Sequence, residues 1–117
     1  MKFEKGIEQF NRGEFFETHE TWEEIWLAAQ EPEKTFLQGM IQVAAAFHHY
    51  QRGNARGARS LLAAGLKKLE SFPSVHRGIL LDDFRRAATA WAEALAAGRD
   101  PGAACIPRIR HAATPQR

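Results

Sequence analysis

Five polar side chains in the first half of the sequence have the types and spacing that could support chemistry. His19 and Glu23 are four residues apart, so in a helix they lie one turn apart on the same face. Gln38, Gln42 and His49 fall within roughly 40° of one another on a helical wheel. Imidazole and carboxylate groups can act as acid and base, and amides can orient a water or a substrate. The two sets predict a polar site where their helices meet.

His19 and Glu23 lie inside the apolar arc of their helix, between Trp26 and Phe16. The other acidic residues of this helix fall on the opposite, hydrated side of the wheel. An ionised carboxylate among apolar residues is costly unless it is paired. We therefore expect Glu23 to pair with His19 or to accept hydrogen bonds from the glutamine amides, in a buried site.

The same residue types could hold a divalent metal ion. Imidazoles and carboxylates are metal ligands, which makes His19, Glu23 and His49 the candidate set. Glutamines are poor ligands, and this disfavours a metal. The alternative is a satisfied polar network that sets the register of two helices and catalyses nothing.

Hydrophobic spacing predicts five helices that place these residues. The first ends at 11–13, the second covers about 14–29, the third covers 35–52, the fourth extends from an N-cap at Asn54 to about Ser71, and the fifth extends from a cap at Asp82 or Asp83 to Gly98. The third helix is apolar on nearly every side, which indicates a central position. Glycines within helices cost up to about 1 kcal/mol, so Gly39, Gly57 and Gly65 predict close helix approach.

A chain of 117 residues is long enough for one domain with its own core. Short loops between successive helices favour antiparallel hairpins. We predict an all-α fold, a compact bundle of about five helices with an irregular C-terminal tail. The domain covers 1–111, with Ile106 and Ile109 holding the first part of the tail, and 112–117 is predicted to be disordered.

The composition excludes several classes of protein. Cys105 is the single cysteine, so a disulfide framework and a cysteine-based zinc site are excluded and a cytoplasmic setting is expected. The N-terminus lacks the apolar segment of a signal peptide. The longest uncharged stretch is interrupted by glutamines and histidines, so we expect no membrane span.

Charge is distributed unevenly along the chain. Residues 1–38 carry a net charge of −5 and the remainder carries +7. Such asymmetry could steer a partner, a nucleic acid or a second copy, or it could be compensated between neighbouring helices. Nucleic-acid binding is disfavoured because the spacing of the basic residues is also that of a solvated helix face: Arg52, Arg56, Arg59, Lys67 and Lys68.

Twelve residues at fixed spacing resemble the signature of the domain-of-unknown-function 309 family: His19, Glu23, Trp26, Phe36, Gln38, Gly39, Ile41, Gln42, Ala44, Ala46, His49 and Asn54. The resemblance implies an all-helical fold and a small cytoplasmic protein of bacteria or archaea. It implies no activity. With the wheel positions, it defines the candidate site: His19, Glu23, Gln38, Gln42, His49, Trp26 and Asn54.

Two hypotheses for function follow, and neither assigns an enzymatic reaction. In the first, the polar site binds a small ligand or a metal ion. In the second, the chain is a non-catalytic helical interaction module, for which a homodimer is one form, and the polar cluster is structural.

Overall fold

The computed structural model describes residues 1–113 and contains all five predicted helices. The elements are α1 (Lys2–Asn11), α2 (Phe15–Ala28), α3 (Glu33–Gln51), α4 (Ala55–Leu69), β1 (Val75–His76), β2 (Ile79–Leu80) and α5 (Leu81–Ala96). The all-α fold class is therefore confirmed, with one short antiparallel hairpin, β1–β2, between α4 and α5. Over residues 1–113, no helix combines the length and the apolar composition that crossing a bilayer requires.

The central helix is α3, which packs against α2 on one side and α4 on the other. The ring of Phe16, near the start of α2, lies 5.5 Å from that of His48, near the end of α3. At the other end of this pair, Lys34 lies over the ring of Trp26. These contacts define an antiparallel hairpin, as the short loop predicted.

The remaining helices, α1 and α5, cover one side of α3. Phe10 of α1 contacts Phe47 of α3 and Phe84 of α5, with ring centroids 6.1 and 5.6 Å apart. Trp91 of α5 packs edge-on against Phe47 at 5.2 Å. The hydrophobic core therefore lies between α3 and the α1–α5 side of the molecule.

One of the two predicted helix caps is present. The Asn54 side chain accepts a hydrogen bond from the Gly57 amide at 2.9 Å and so caps α4. The predicted cap of α5 by Asp82 or Asp83 is wrong, because β2 continues directly into α5 and both aspartates lie in its first turn. There the Asp82 amide donates to the Ser74 carbonyl instead.

The residues after α5, 99–113, contain one short 3-10 helix (Ala103–Cys105) and are otherwise irregular, and we call them the C-terminal strap. Ile109 is buried and Ile106 is partly buried, which confirms that these residues hold the strap against the helices. The side chain of Asn11 bonds both the amide and the carbonyl of Ile109. The Ala112 amide donates to the Gly78 carbonyl at 2.9 Å. The tail predicted to be disordered begins at residue 112, and its last part, 114–117, lies outside the described residues.

Candidate functional site

Helices α2, α3 and α4 form a layer, and the side of this layer opposite α1 and α5 is uncovered. On α3, Met40 and Phe47 point into the core and are 0% and 1% exposed. The residues at the opposite wheel angles are only partly buried, because they lie between α2 and α4. We call this side the open face, and its residues are Phe16, His19, Glu23 and Leu27 of α2, Gln38, Gln42, Ala45 and His49 of α3, and Gly57, Leu61, Ala64 and Lys68 of α4.

His19 and Glu23 form the predicted pair, with Nε2 and Oε2 3.5 Å apart. Their side chains are 35% and 50% exposed, so the prediction of a buried pair is wrong. The reason is that the core side of α2 is occupied by Phe15, Thr18 and Trp22, and the pair lies to one side of it. An exposed pair of this kind contributes little to stability.

Two large apolar side chains flank this pair along α2. Phe16 is 49% exposed and Leu27 is 67% exposed. Both residues lie in the apolar arc on the helical wheel of α2. This arc is wider than the part of α2 that α1 and α3 cover. The pair of His19 and Glu23 therefore lies on a surface that is apolar at both ends.

The polar strip on α3 is present, but it is not joined to the α2 pair. Within residues 1–113, no side-chain hydrogen bond links His19 or Glu23 to Gln38, Gln42 or His49, and Oε1 of Gln42 is buried without a partner. The three α3 residues share a face, as predicted, without forming a network.

His49 belongs to the cap of α4. Its Nδ1 lies 3.0 Å from Nδ2 of Asn54, whose oxygen accepts from Gly57. A Cβ atom on Gly57 would lie 3.2 Å from the same His49 nitrogen, which confirms the predicted close approach of α3 and α4. His49 and Asn54 therefore have a structural role at the end of the open face.

Trp26 differs from the other two tryptophans. The indole nitrogens of Trp22 and Trp91 donate to backbone carbonyls, at 3.1 and 2.8 Å. Nε1 of Trp26 is buried without a partner, and Nζ of Lys34 lies 4.7 Å from its ring centroid. A cation over an indole face is a favourable contact, so Trp26 and Lys34 stabilise the α2–α3 turn.

The predicted metal set is not assembled. In the part of the chain that the structure describes, no three His, Cys, Asp or Glu side chains are grouped so that they could hold a metal ion. His49 faces the α4 cap, while His19 and Glu23 pair with each other on α2. Among the described residues, His19, Glu23 and His49 are thus not brought together as one ligand set, and metal binding itself stays a prediction.

The charge asymmetry of the sequence becomes a charge difference across the open face. Residues 14–28 carry five glutamates and no basic residue, whereas α4 carries four basic residues and no acidic one. Because α3 separates the two helices, no ion pair joins α2 to α4 among residues 1–113. Among the same residues, Lys2 of α1 pairs with Glu24 of α2 at 2.7 Å, so the compensation that the sequence allowed occurs between α1 and α2 but not between α2 and α4.

The residues of α4 that belong to the open face were not identified from the sequence. Leu61, Ala64 and Lys68 are only partly buried. The spacing of Gly57, Leu61, Ala64 and Lys68 is that of one helical stripe, a signal that could have identified this edge.

Comparison with known proteins places the matched region across these helices. A family model described as "Domain of unknown function (DUF309)" matches residues 3–61. An uncharacterized protein of Aquifex aeolicus (strain VF5) is 32% identical over 77 residues, which are 65% of this chain and 23% of that protein. The uncharacterized protein YpuF of Bacillus subtilis (strain 168) is 36% identical over 61 residues, 50% of this chain and 34% of YpuF. The chain thus matches only about a quarter to a third of the length of these relatives.

Proposed function

This chain belongs to the family defined by domain of unknown function 309, and from that premise we propose that it is a non-catalytic interaction module that forms a homodimer through its open face. The observation that carries the proposal is the arrangement of charge: an acidic helix and a basic helix border a surface with exposed apolar side chains. Such a surface is complementary to a second copy of itself.

Apolar exposure supports burial of this surface in an assembly. Phe16 and Leu27 are large apolar side chains of α2 that remain 49% and 67% exposed. Burying a side chain of this size stabilises by about 1.5–3 kcal/mol. Ala45, Leu61 and Ala64 extend the apolar surface across α3 and α4.

Charge selects one symmetric arrangement of the two copies. If the twofold axis runs along α3, the α2 of each copy lies over the α4 of the other, and glutamates meet basic residues. If the axis runs across the layer, α2 lies over α2, and like charges repel. The first arrangement brings Glu20 and Glu23 near Arg56 and Lys68 of the second copy.

The size of the open face is sufficient for a stable dimer. A helix of 19 residues such as α3 is about 28 Å long, and three helices packed about 9 Å apart are about 28 Å wide. Because α2 and α4 are shorter, with 14 and 15 residues, the resulting area is roughly 650 Å². This lies within the roughly 600–1,000 Å² that each partner contributes to a stable interface.

The test is the oligomeric mass in solution with charge-reversed variants. We expect wild-type protein to sediment as a dimer at micromolar concentration, and Glu23→Lys and Lys68→Glu to shift towards monomer because each places like charges together. Mixing the two variants should restore a dimer, since the reversed charges then match. Glu17→Lys is the control, because Glu17 is exposed on the side of α2 away from the open face.

A monomeric wild-type protein over this concentration range would overturn the homodimer. If Glu23→Lys, Lys68→Glu and Leu27→Glu all remain dimeric, the interface lies elsewhere on the molecule. Raising the salt concentration should weaken the wild-type dimer, because surface charge interactions are screened.

A small ligand bound at the open face is the second candidate. The unpartnered Oε1 of Gln42 favours it, because a buried acceptor without a donor costs about 1–3 kcal/mol. A ligand that donates to this oxygen should raise the melting temperature of the wild type and not that of Gln42→Met. For either function we propose a cytoplasmic setting, since a single cysteine suits a reducing compartment.

A further inference from the structure

A second feature of the molecule lies on the other side of α5, away from the open face. A cleft of about 590 Å³ separates α5 from the C-terminal strap. We call it the arginine cleft, and the residues that matter for its chemistry are Arg86, Arg108, Arg110, Asp83, Leu80 and Ile106. Its volume is within the range of small-molecule sites, about 300–1,000 Å³.

The wall formed by the strap is held in place at several points. The Trp91 indole donates to the Cys105 carbonyl at 2.8 Å, and the Leu80 amide donates to the Arg110 carbonyl at 2.8 Å. Pro107 and Ile109 are buried, so the alternating residues Arg108 and Arg110 are directed outward from the core. The arginines therefore project from a fixed backbone.

The three guanidinium groups differ in what they already bind. Arg86 donates to Asp82 at 2.7 Å and lies 3.8 Å from Asp83, which fixes its orientation. Arg108 makes one long contact, 3.5 Å, with the Asn11 carbonyl. Among residues 1–113, neither Arg108 nor Arg110 forms an ion pair. Most of their donors are therefore available to an anion.

The composition of the cleft indicates the class of ligand. Guanidinium groups match the oxygens of a phosphate in charge and in geometry. Leu80 and Ile106 are partly buried and provide apolar surface, and the Asp83 carboxylate can accept a hydrogen bond from a hydroxyl or an amine. We infer that the arginine cleft binds a small organic phosphate, with its phosphate at Arg108 and Arg110 and its body between α5 and the strap.

The experiment is a titration of the full chain followed by backbone amide NMR. The probes are AMP, ribose 5-phosphate, adenosine and inorganic phosphate. We expect saturable shifts from AMP at the amides of Arg86 and residues 104–110, with weaker binding of inorganic phosphate and of adenosine. Tighter binding of AMP than of ribose 5-phosphate would identify a nucleotide as the source of the phosphate, and equal binding would identify a sugar phosphate.

Charge-neutralised variants locate the site. Arg110→Gln and Arg108→Gln should each weaken AMP binding about tenfold, the loss expected for one charged hydrogen bond. Arg59→Gln is the matched control, since Arg59 is an exposed arginine on α4 outside the cleft and its loss changes the net charge equally. Circular dichroism checks that each variant is folded.

Three outcomes would overturn the inference. They are AMP binding no tighter than that of inorganic phosphate, equal affinity of the wild type and both cleft variants, and amide shifts confined to the open face. The first two outcomes leave the homodimer unaffected, since it uses a different surface, whereas shifts confined to the open face would favour a ligand at that face.

Discussion

The carbonyl oxygen of Gly39 in α3 faces Gly65 in α4 so closely that a Cβ atom on Gly65 would lie 2.8 Å from it. The same Cβ would meet Val43 at 2.9 Å. Since the first obstacle is backbone, the two helices would have to move apart to accept even a methyl group. This crossing fixes α4 beside α3, and so sets one edge of the open face.

Gly65→Ala should therefore destabilise the protein in spite of the better helix propensity of alanine. Overpacking of this kind typically costs about 1–3 kcal/mol. Urea unfolding monitored by circular dichroism measures the free energy of unfolding. Ser60→Ala, on the exposed side of the same helix, is the control and should cause no loss. An unchanged stability of Gly65→Ala would contradict the tight crossing.

Arg85 joins α5 to the end of α4. Its Nη1 donates to the carbonyls of Leu69 and Phe72, at 2.7 and 2.6 Å, and the side chain is 16% exposed. Arg85→Ala removes charged hydrogen bonds and leaves carbonyls at the end of α4 without this partner, so we expect a loss of about 1.5–3 kcal/mol. The control is Arg86→Ala. The Arg86 side chain is 74% exposed, so its loss should reduce the free energy of unfolding much less. Equal melting temperatures for the two variants would show that the Arg85 contacts contribute little.

Glu23→Gln should leave the folded monomer nearly as stable as the wild type. The carboxylate is half exposed and its partner His19 is also solvated, so we expect a change below about 0.5 kcal/mol. Unfolding is best measured at protein concentrations low enough for the chain to be monomeric. A loss of 2 kcal/mol or more would mean that Glu23 has a structural role that its exposure does not indicate.

The contact between Tyr50 and Asp100 should make the docking of the strap depend on pH. The Tyr50 hydroxyl donates to the carboxylate at 2.5 Å, and this hydrogen bond lowers the pKa of Asp100 and raises the pKa of Tyr50. A lowered carboxyl pKa means stabilisation that is present above the ordinary value of about 3.9 and lost as pH falls through the folded pKa. A raised phenol pKa means stabilisation that is present below about 10 and lost as pH rises through the folded pKa.

The difference in melting temperature between the wild type and Tyr50→Phe isolates this contribution, because the other titrating groups are common to both. We expect the wild type to be more stable by a margin that is greatest at intermediate pH and shrinks towards both extremes. A margin that is constant with pH would contradict a charged partner at Asp100.

Features that depend on neighbouring residues along the chain could be predicted from the sequence. Asn54 caps α4 because its side chain and the Gly57 amide are three residues apart. Gly39 and Gly65 indicated a close crossing because glycine is otherwise unfavourable inside a helix. The pairing of His19 with Glu23 followed from helical spacing alone.

Features that depend on which surface is covered could not be predicted. A helical wheel gives the apolar arc of α2, but it does not reveal where the neighbouring helices end, so it does not show that Phe16 and Leu27 of this arc are exposed. The wheel of α3 gives the polar strip that contains Gln42, but it does not reveal that α2 and α4 leave this strip only partly buried.

The sequence by itself determined the five helices, the hairpin of α2 and α3 and the segregation of charge, because these depend on local periodicity, loop length and composition. Only the tertiary structure decided that α2 and α4 lie on opposite sides of α3, so that their charges do not pair with each other and one face is uncovered. Likewise, only the fold brings Arg86 to the same cleft as Arg108 and Arg110. The physical reason is that covering a surface requires contacts between residues far apart in the chain, and these are set by how whole helices pack.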